Sequence, residues 1–340
     1  MEIPMNEYNA SQIHLIKRPE GLPDQSNFEK VAVELTPPSA GEVLVKNHFM
    51  SVDPYMRGRM RSEGVYAEPY SLNEPMYGGA VGEVIESRDS GLAVGDIVLN
   101  NAAWQDRFVA KADAVNKLDP FDMNRLSLYL GTLGMPGMTA YVGLFRFGEP
   151  KEGETVFVSA ASGAVGANVC QIAKQIGCRV IGSVGSDEKA QWLKNECGVD
   201  EVINYKTCGD LTKALTKAAP DGVDVYFENV GGEHLQAALN AMNHFGRIVA
   251  CGMIGTYNAA NPQPGPNNLM LIVGKKIRIN GFIVFDHNDM RQEFLSEMEA
   301  WVKTEKLVVR ETIIEGLDNA VDAFLALFSG KNFGKMIVKL

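Results

Sequence analysis

The stretch Thr155–Gly177, TVFVSAASGAVGANVCQIAKQIG, decides the fold. It opens on the apolar strand TVFVS, passes through Ala160-Ala161-Ser162-Gly163-Ala164-Val165-Gly166, and leaves as an amphipathic helix through VCQIAKQIG. A glycine-rich turn counts as a dinucleotide fingerprint only where a strand enters it and a helix leaves it, and both are present here. Gly163 allows the tight turn and the close approach of backbone to a pyrophosphate, Gly166 allows helix and strand to pack closely, and the helix N-terminus adds amide donors and a positive dipole. The pattern departs from G-x-G-x-x-G at its first glycine, which is Ala161. A glycine turn in any other α/β unit reads the same way, so the flanking segments must carry the argument.

Downstream, short apolar strands alternate with helical patterns: RVIGSVG, a helix through KAQWLKNECG, EVINY, DVYFENVG and GRIVACG. That alternation predicts a doubly wound parallel α/β sheet of the Rossmann kind. The strand Arg179–Val184 runs into Ser183-Val184-Gly185-Ser186 and lacks the acidic residue that would hold a ribose 2′-hydroxyl. Ser183 and Ser186 offer hydroxyls and Lys189 follows one helical turn later, a set suited to a 2′-phosphate and so to NADPH. Asp187 argues the other way, but an acid in the first turn of a helix is explained by the dipole. Lys189 also reads as an ordinary solvated lysine.

Upstream, from Ile13 to Asp119, the chain reads as β segments broken by turn residues: QIHLIKRP, FEKVAVELTPP, GEVLVKNHFMSVD, GGAVGEVIES, GDIVL and DRFVAK. A compact all-β barrel is expected. Between Met123 and Leu144 the spacing turns helical, with a break at Pro136-Gly137, and a domain boundary is placed there. The stripe Met290, Phe294, Leu295, Met298, Trp301 and Val302, the helix near Val321–Phe328 and the strand KMIVKL form a tail expected to return to the first domain. The expected domains are 1–133 with 300–340, and 134–299.

The chain has 340 residues, roughly two domains' worth, and a globular composition with 46% hydrophobic and 22% charged residues. Lys+Arg 32 against Asp+Glu 42 gives a net charge of −10, which offers no field for a polyanion, so nucleic acid is not an expected partner. No apolar run approaches the ~20 residues that span a bilayer, and MEIPMNEYNA has no signal-peptide pattern. A cytoplasmic protein without a membrane partner is expected. The cysteines Cys170, Cys178, Cys197, Cys208 and Cys251 lack paired spacings and read as free thiols. The β domain holds no cysteine, and its histidines, His14 and His48, sit in no ligand cluster, so no metal is expected. Polarisation of a carbonyl must then come from a hydrogen-bond donor, and tyrosine hydroxyls are the natural candidates.

The order of β domain, Rossmann domain and C-terminal return resembles the zinc-free branch of the medium-chain dehydrogenase/reductase superfamily. Within that branch, VDPYMRGRM (Val52–Met60), AASGAVG (Ala160–Gly166), GSDEK (Gly185–Lys189), NYK (Asn204–Lys206), FENVGG (Phe227–Gly232), CGMIGTYN (Cys251–Asn258) and GKNFGK (Gly330–Lys335) resemble the NADPH-dependent alkenal/one reductases. That group comprises prostaglandin reductases, plant double-bond reductases and bacterial curcumin reductases. The resemblance covers nearly the whole chain. It implies a GroES-like β-barrel catalytic domain beside the Rossmann domain, and a homodimer.

By motif, it implies that Gly163, Ala164, Val165 and Gly166 hold the pyrophosphate, that Lys189 and Tyr205 meet the 2′-phosphate, and that Asn229 lies along the cofactor. Cys251, Gly252, Ile254 and Tyr257, with Phe282 and Val284, would line the nicotinamide side, and Asn332 would reach in from the return. The implied reaction sends hydride from NADPH to the β-carbon of an α,β-unsaturated aldehyde or ketone, leaving an enolate oxygen to be stabilised. Tyr257 is the expected donor, with a nicotinamide ribose hydroxyl as the second, because CGMIGTYN follows a strand and so lies near the carboxyl edge of the sheet. Tyr257 as a substrate positioner remains open, as does protonation of the α-carbon by tyrosine or by water. Tyr55, Tyr66, Tyr70 and Tyr77 are candidate walls of the substrate site, with Tyr55 favoured by its motif. Arg57 and Arg59 suit either a carboxylate-bearing substrate or ion pairs within the domain. Quinone reduction on the same scaffold and a non-catalytic NADPH-binding protein are the rival readings. The loops Arg61–Pro75 and Tyr257–Asn268 shape the substrate site.

Overall fold

The computed structural model describes residues 8–64, 67–261 and 264–340. They fall into two units: one from the start to Leu130 with Glu311–Asn332 and Met336–Leu340, the other from Gly131–Arg310 with Phe333–Lys335. In the first unit, β1 (Asn9–Leu15) and β2 (Phe28–Glu34) pair as an antiparallel ribbon. There follow β3 (Glu42–Ser51), the short helix α1 (Met56–Arg59), β4 (Ala80–Ser87), β5 (Ile97–Asn100), β6 (Arg107–Lys111) and β7 (Asn116–Lys117).

β3 organises this sheet because it is long enough to serve two partners on one edge. β4 runs along its first edge; the second edge is shared by β6, opposite Glu42–Lys46, and by the chain's final strand, opposite Phe49–Ser51. The unit is thus the expected all-β domain, an antiparallel sheet branched at β3.

The second unit opens on α2 (Met135–Val142). The expected break at Pro136 is displaced: the chain turns at Gly131–Gly134, and Pro136 sits in the first helical turn, where its missing N–H costs nothing. The unit begins at residue 131, not 134. Then come β8 (Thr155–Val158), α3 (Gly166–Gln175), β9 (Arg179–Val184), α4 (Asp187–Asn195), β10 (Glu201–Asn204), α5 (Leu211–Ala218) and β11 (Val223–Glu228). They are followed by α6 (Gly232–Ala241), β12 (Met242–Ala250), α7 (Met270–Lys275) and β13 (Arg278–Gly281).

All pairings are parallel, in the order β10-β9-β8-β11-β12-β13. Two halves thus wind outward from β8 and β11, and the strand order reverses between them. That reversal opens a crevice at the carboxyl ends, the position where this architecture takes ligands.

α8 (Arg291–Lys303) buries Phe294, Met298 and Val302, three of the six residues of the stripe. Phe294 meets the ring of Tyr141 at 5.8 Å, and the Tyr141 hydroxyl donates to Glu297 at 3.0 Å, so this helix belongs to the second unit. The return consequently starts at Glu311 and not at residue 300. It consists of β14 (Glu311–Glu315), α9 (Ala320–Phe328) and β15 (Lys335–Lys339). α9 lays Phe324 edge-on against the fully buried Trp104 and against Phe28, while β15 pairs with the end of β3. Among the described residues no helix is long and apolar enough to cross a membrane.

Candidate functional site

The turn between β8 and α3 works by exclusion of side chains. A Cβ at Gly166 would lie 2.4 Å from the Ala160 carbonyl oxygen and 2.8 Å from the Ala161 Cα, so only glycine lets α3 start this close to the strand. The turn itself is closed by the Gly163 N–H donating to the Ala160 carbonyl at 2.9 Å. Ala160 takes φ +47°, a left-handed conformation that strains a non-glycine residue. Ala161, which replaces the usual first glycine, is accommodated from the neighbouring strand: it is fully buried, and a Cβ at Gly182 would sit 2.9 Å from its methyl. Asn168 Nδ2 donates to the Ala164 carbonyl at 2.7 Å, tying the turn to the helix.

A pocket beside this turn is lined by Gly163, Ala164, Arg310, Gly334 and Lys335. Gly334 donates from its backbone to Ser162 at 2.9 Å, which brings the last segment of the unit against the turn. Arg310 lays its guanidinium over the Phe333 ring, 3.8 Å from its centre, and towards Glu188 at 4.0 Å, and Lys335 is buried. No local sequence pattern marked Arg310; Lys335 lay inside a motif quoted for resemblance alone.

At the far side of the crevice, the ends of β9 and β10 form a basic corner. Ser186 caps α4 by accepting from the Lys189 backbone N–H, which leaves its hydroxyl proton as a donor. Burial lowers the Lys189 ammonium, and the neighbouring Lys206 charge lowers it further. A dianion between two such lysines relieves that repulsion. A Cβ on Gly185 would meet Tyr205 Oη at 2.8 Å and Lys206 Cε at 3.3 Å, which places tyrosine and lysine against the same turn. Lys206 was within the motif NYK yet was not singled out. Asp187 accepts from Asn204 Nδ2 at 2.7 Å, so its acidity is engaged within the protein.

Ser183 requires a correction. It is fully buried and hydrogen-bonded to His234 Nε2 at 2.8 Å, so its hydroxyl faces α6 and has no ligand-facing role.

The ends of β11 and β12 carry the remaining cofactor candidates. Asn229 donates from its backbone to Ser159 Oγ at 2.9 Å and from its side chain to the Ser159 carbonyl at 2.7 Å. Glu228 beneath it is fully buried and accepts from the Val230 and Gly231 amides, and burial raises its carboxyl above the usual range. Cys251 and Gly252 donate to the Glu228 carbonyl at 3.0 Å, Ile254 to that of Asn229 at 3.1 Å and Gly255 to that of Val230 at 3.0 Å. The two loops are therefore one backbone-bonded shelf. Burial, then Glu228, pushes the Cys251 thiol up to about 12, which removes it as a nucleophile at neutral pH. Tyr257 follows the short helix Ile254–Thr256, and its hydroxyl accepts from the Met253 N–H at 3.3 Å. Phe282, just after β13, stacks on Phe147 at 5.1 Å; Val284 begins the next turn and is half-buried.

In the first unit, Tyr55 is half-buried at the start of α1 and packs against the core. Tyr66 lies outside the described residues. Tyr70 is 1% exposed, donates its hydroxyl to the Tyr77 carbonyl at 2.8 Å, and meets the Tyr77 ring edge-on. So enclosed a ring packs the core and offers no wall. Arg57 is buried and donates to the Gly21 carbonyl, and Arg59 donates to that of Glu68 while lying 3.9 Å from the Tyr77 ring centre. Both arginines hold backbone. Asn332 ends the first unit's return, immediately before Phe333. Among the described residues no group of three or more His, Cys, Asp or Glu side chains is placed to hold a metal ion.

Comparison with known proteins agrees with this geometry. Residues 11–118 match a family described as the N-terminal domain of oxidoreductase, and residues 164–300 one described as zinc-binding dehydrogenase. The chain is 44% identical to the 2-alkenal reductase (NADP(+)-dependent) of Nicotiana tabacum, over 98% of each chain. It is 42% identical to the NADPH-dependent curcumin reductase of Escherichia coli (strain K12), over 96% of this chain and 95% of that one. The crystal structure of CurA in complex with NADPH from Vibrio vulnificus superposes with a TM-score of 0.92 at 41% identity, covering 97% of this chain and 98% of the other. With a glycine turn at the strand reversal, a basic corner beside it and relatives matched along nearly its whole length, this chain belongs to the medium-chain dehydrogenase/reductase family, in the branch of the alkenal and curcumin reductases.

Proposed function

We propose that the protein reduces the C=C bond of α,β-unsaturated aldehydes and ketones at the expense of NADPH. The observation that carries the cofactor is the corner formed by Lys189, Lys206 and Tyr205, where two like charges face one turn and the Asp187 carboxylate is tied to Asn204. The turn from Gly163 to Gly166, with Arg310 and Lys335 beside it, suits the pyrophosphate. When bound, NADPH supplies hydride to the substrate's β-carbon.

The chain's own residues then deal with the charge that reaches the carbonyl oxygen. Tyr257 is the donor of choice: its phenol stands on this shelf, where its oxygen accepts from the Met253 N–H at 3.3 Å, and a phenol stabilises a developing oxyanion without carrying charge itself. Gly252 makes room for that hydroxyl, since a Cβ there would lie 3.1 Å from it. Asn229, Cys251, Ile254, Phe282 and Val284 present the shelf and apolar side against which the nicotinamide would lie, and Tyr55 is a proposed substrate contact on the strength of its motif.

We also infer that the protein acts as a homodimer. β13 is an edge strand with Ile279 41% exposed, and α7 next to it carries Met270 at 85% and Val273 at 80%. An edge strand and an exposed apolar helix are each a surface that a second copy would cover.

The test follows NADPH consumption, by its near-ultraviolet absorbance, with an aliphatic enone, a para-quinone and a saturated aldehyde, repeated with NADH. Turnover on the enone with a preference for NADPH is the expected result. Turnover on the quinone alone would replace the reading with quinone reduction, and tight NADPH binding without turnover would leave a binding protein.

A further inference from the structure

His234 lies on α6, is 6% exposed, and serves none of the roles assigned so far. Its Nε2 is hydrogen-bonded to the buried Ser183 Oγ at 2.8 Å, and its ring meets the Tyr205 ring at 5.2 Å and 78°. Burial lowers it to about 4, so it stays neutral and adds no third positive charge to the lysine corner at physiological pH. Tyr205, 40% exposed, stands between this histidine and the Gly185 turn, where its hydroxyl occupies the space a side chain at 185 would take.

We propose that His234 is a positioning residue for cofactor choice: anchored on Ser183, it holds the Tyr205 ring so that its hydroxyl meets the 2′-phosphate of NADPH. The inference rests on the NADPH reading above and adds to it a residue that never touches the ligand. A hydrogen bond to a charged phosphate oxygen is made only with NADPH, and NADH has no group at that place. Loss of the histidine therefore weakens NADPH and spares NADH. A merely structural role would move both.

The test measures dissociation constants by calorimetry, without substrate, for NADPH and NADH. His234→Leu is expected to weaken NADPH about tenfold and to leave NADH within about twofold. The paired Ser183→Ala/His234→Leu, which leaves no buried hydroxyl without a partner, is expected to do the same and guards against a folding failure of the single change. His234→Gln, whose amide can bond Ser183, should stay within about threefold of wild type for NADPH. In a Tyr205→Phe background, His234→Leu should add less than about twofold, because the hydroxyl it positions is already gone. Equal weakening of both cofactors, an unchanged NADPH constant, or full additivity with Tyr205→Phe would each overturn the role of His234. A wild-type protein that binds NADH as tightly as NADPH would instead overturn the cofactor reading, and that shows before any variant is made.

Discussion

Replacing Gly166 by alanine adds one methyl group at the point where α3 meets the turn. The new Cβ would lie 2.4 Å from the Ala160 oxygen, 2.8 Å from the Ala161 Cα and 3.0 Å from the Ala160 carbonyl carbon. All three are backbone atoms, so no side chain can swing aside. The first contact falls 0.6 Å short of the 3.0 Å below which real Cβ atoms essentially never go, and the relief routes are blocked. Ala161 is bonded through its amide to the Ser183 carbonyl at 3.0 Å, and the Ala160 oxygen already accepts from Gly163. The turn must therefore open, costing about 1–3 kcal/mol of stability as overpacking does. Displacing one backbone donor from the pyrophosphate costs a further ~2 kcal/mol in binding, or roughly 30-fold in Kd. Calorimetric titration of NADPH reads the binding loss and urea unfolding the stability loss. Gly163→Ala separates the two effects: its Cβ meets only the Ala160 oxygen, at 3.2 Å, so stability should be spared, while a methyl at the close approach to the pyrophosphate should still weaken NADPH. If both Gly166→Ala and Gly163→Ala bind NADPH within about threefold of wild type, the placement of the pyrophosphate on this turn is wrong.

Lys189→Ala and Lys206→Ala should each weaken NADPH about tenfold or more and leave NADH within about twofold, since each removes a charge-assisted contact to the 2′-phosphate; competition binding with both cofactors checks this, and a loss shared equally refutes the assignment. Tyr257→Phe should lower kcat on an enone about 100-fold with the NADPH Kd unchanged, the signature of a donor used only when charge develops; a steady-state loss below threefold would reduce Tyr257 to a positioning role. Val273→Glu puts a charge on the exposed face of α7 and should convert a dimer to a monomer by light scattering, whereas an unchanged mass would place the interface elsewhere. Burial holds His234 at about 4 against an ordinary 6.5, so the unfolded chain takes up the proton first as pH falls, and stability is full above about 6.5 and drops by up to about 3 kcal/mol toward pH 4. Urea midpoints of wild type and His234→Gln at neutral pH and near pH 5 should converge; parallel slopes would show that His234 carries no such linkage.

What could be read from the sequence were constraints satisfied within one strand–turn–helix unit. The passage from TVFVS through Gly163 and Gly166 into a helix holds its own explanation, because the Cβ clashes at Gly166 involve only residues of the same turn. The departure at Ala161 does not, since the glycine that makes room for it is Gly182 on the adjacent strand, and pairing of β8 with β9 is a tertiary fact. Ser183 was misread for the same reason. In a parallel strand covered on both faces, alternation cannot tell a hydroxyl aimed at a ligand from one aimed at a helix, and His234 arrives from α6, more than one crossover away. Tyr70 looked like a loop aromatic, but Arg59 over its ring and the hydrogen bond to Tyr77 fold the loop inward. Arg310 and Lys335 come beside the Gly163 turn from far along the chain, at a distance no local pattern spans. The turn proposed to hold the pyrophosphate was thus legible because the backbone itself makes it. The side chains proposed to choose between related ligands were not, because their placement depends on which buried neighbour each one leans on, and that is a property of the packed sheet.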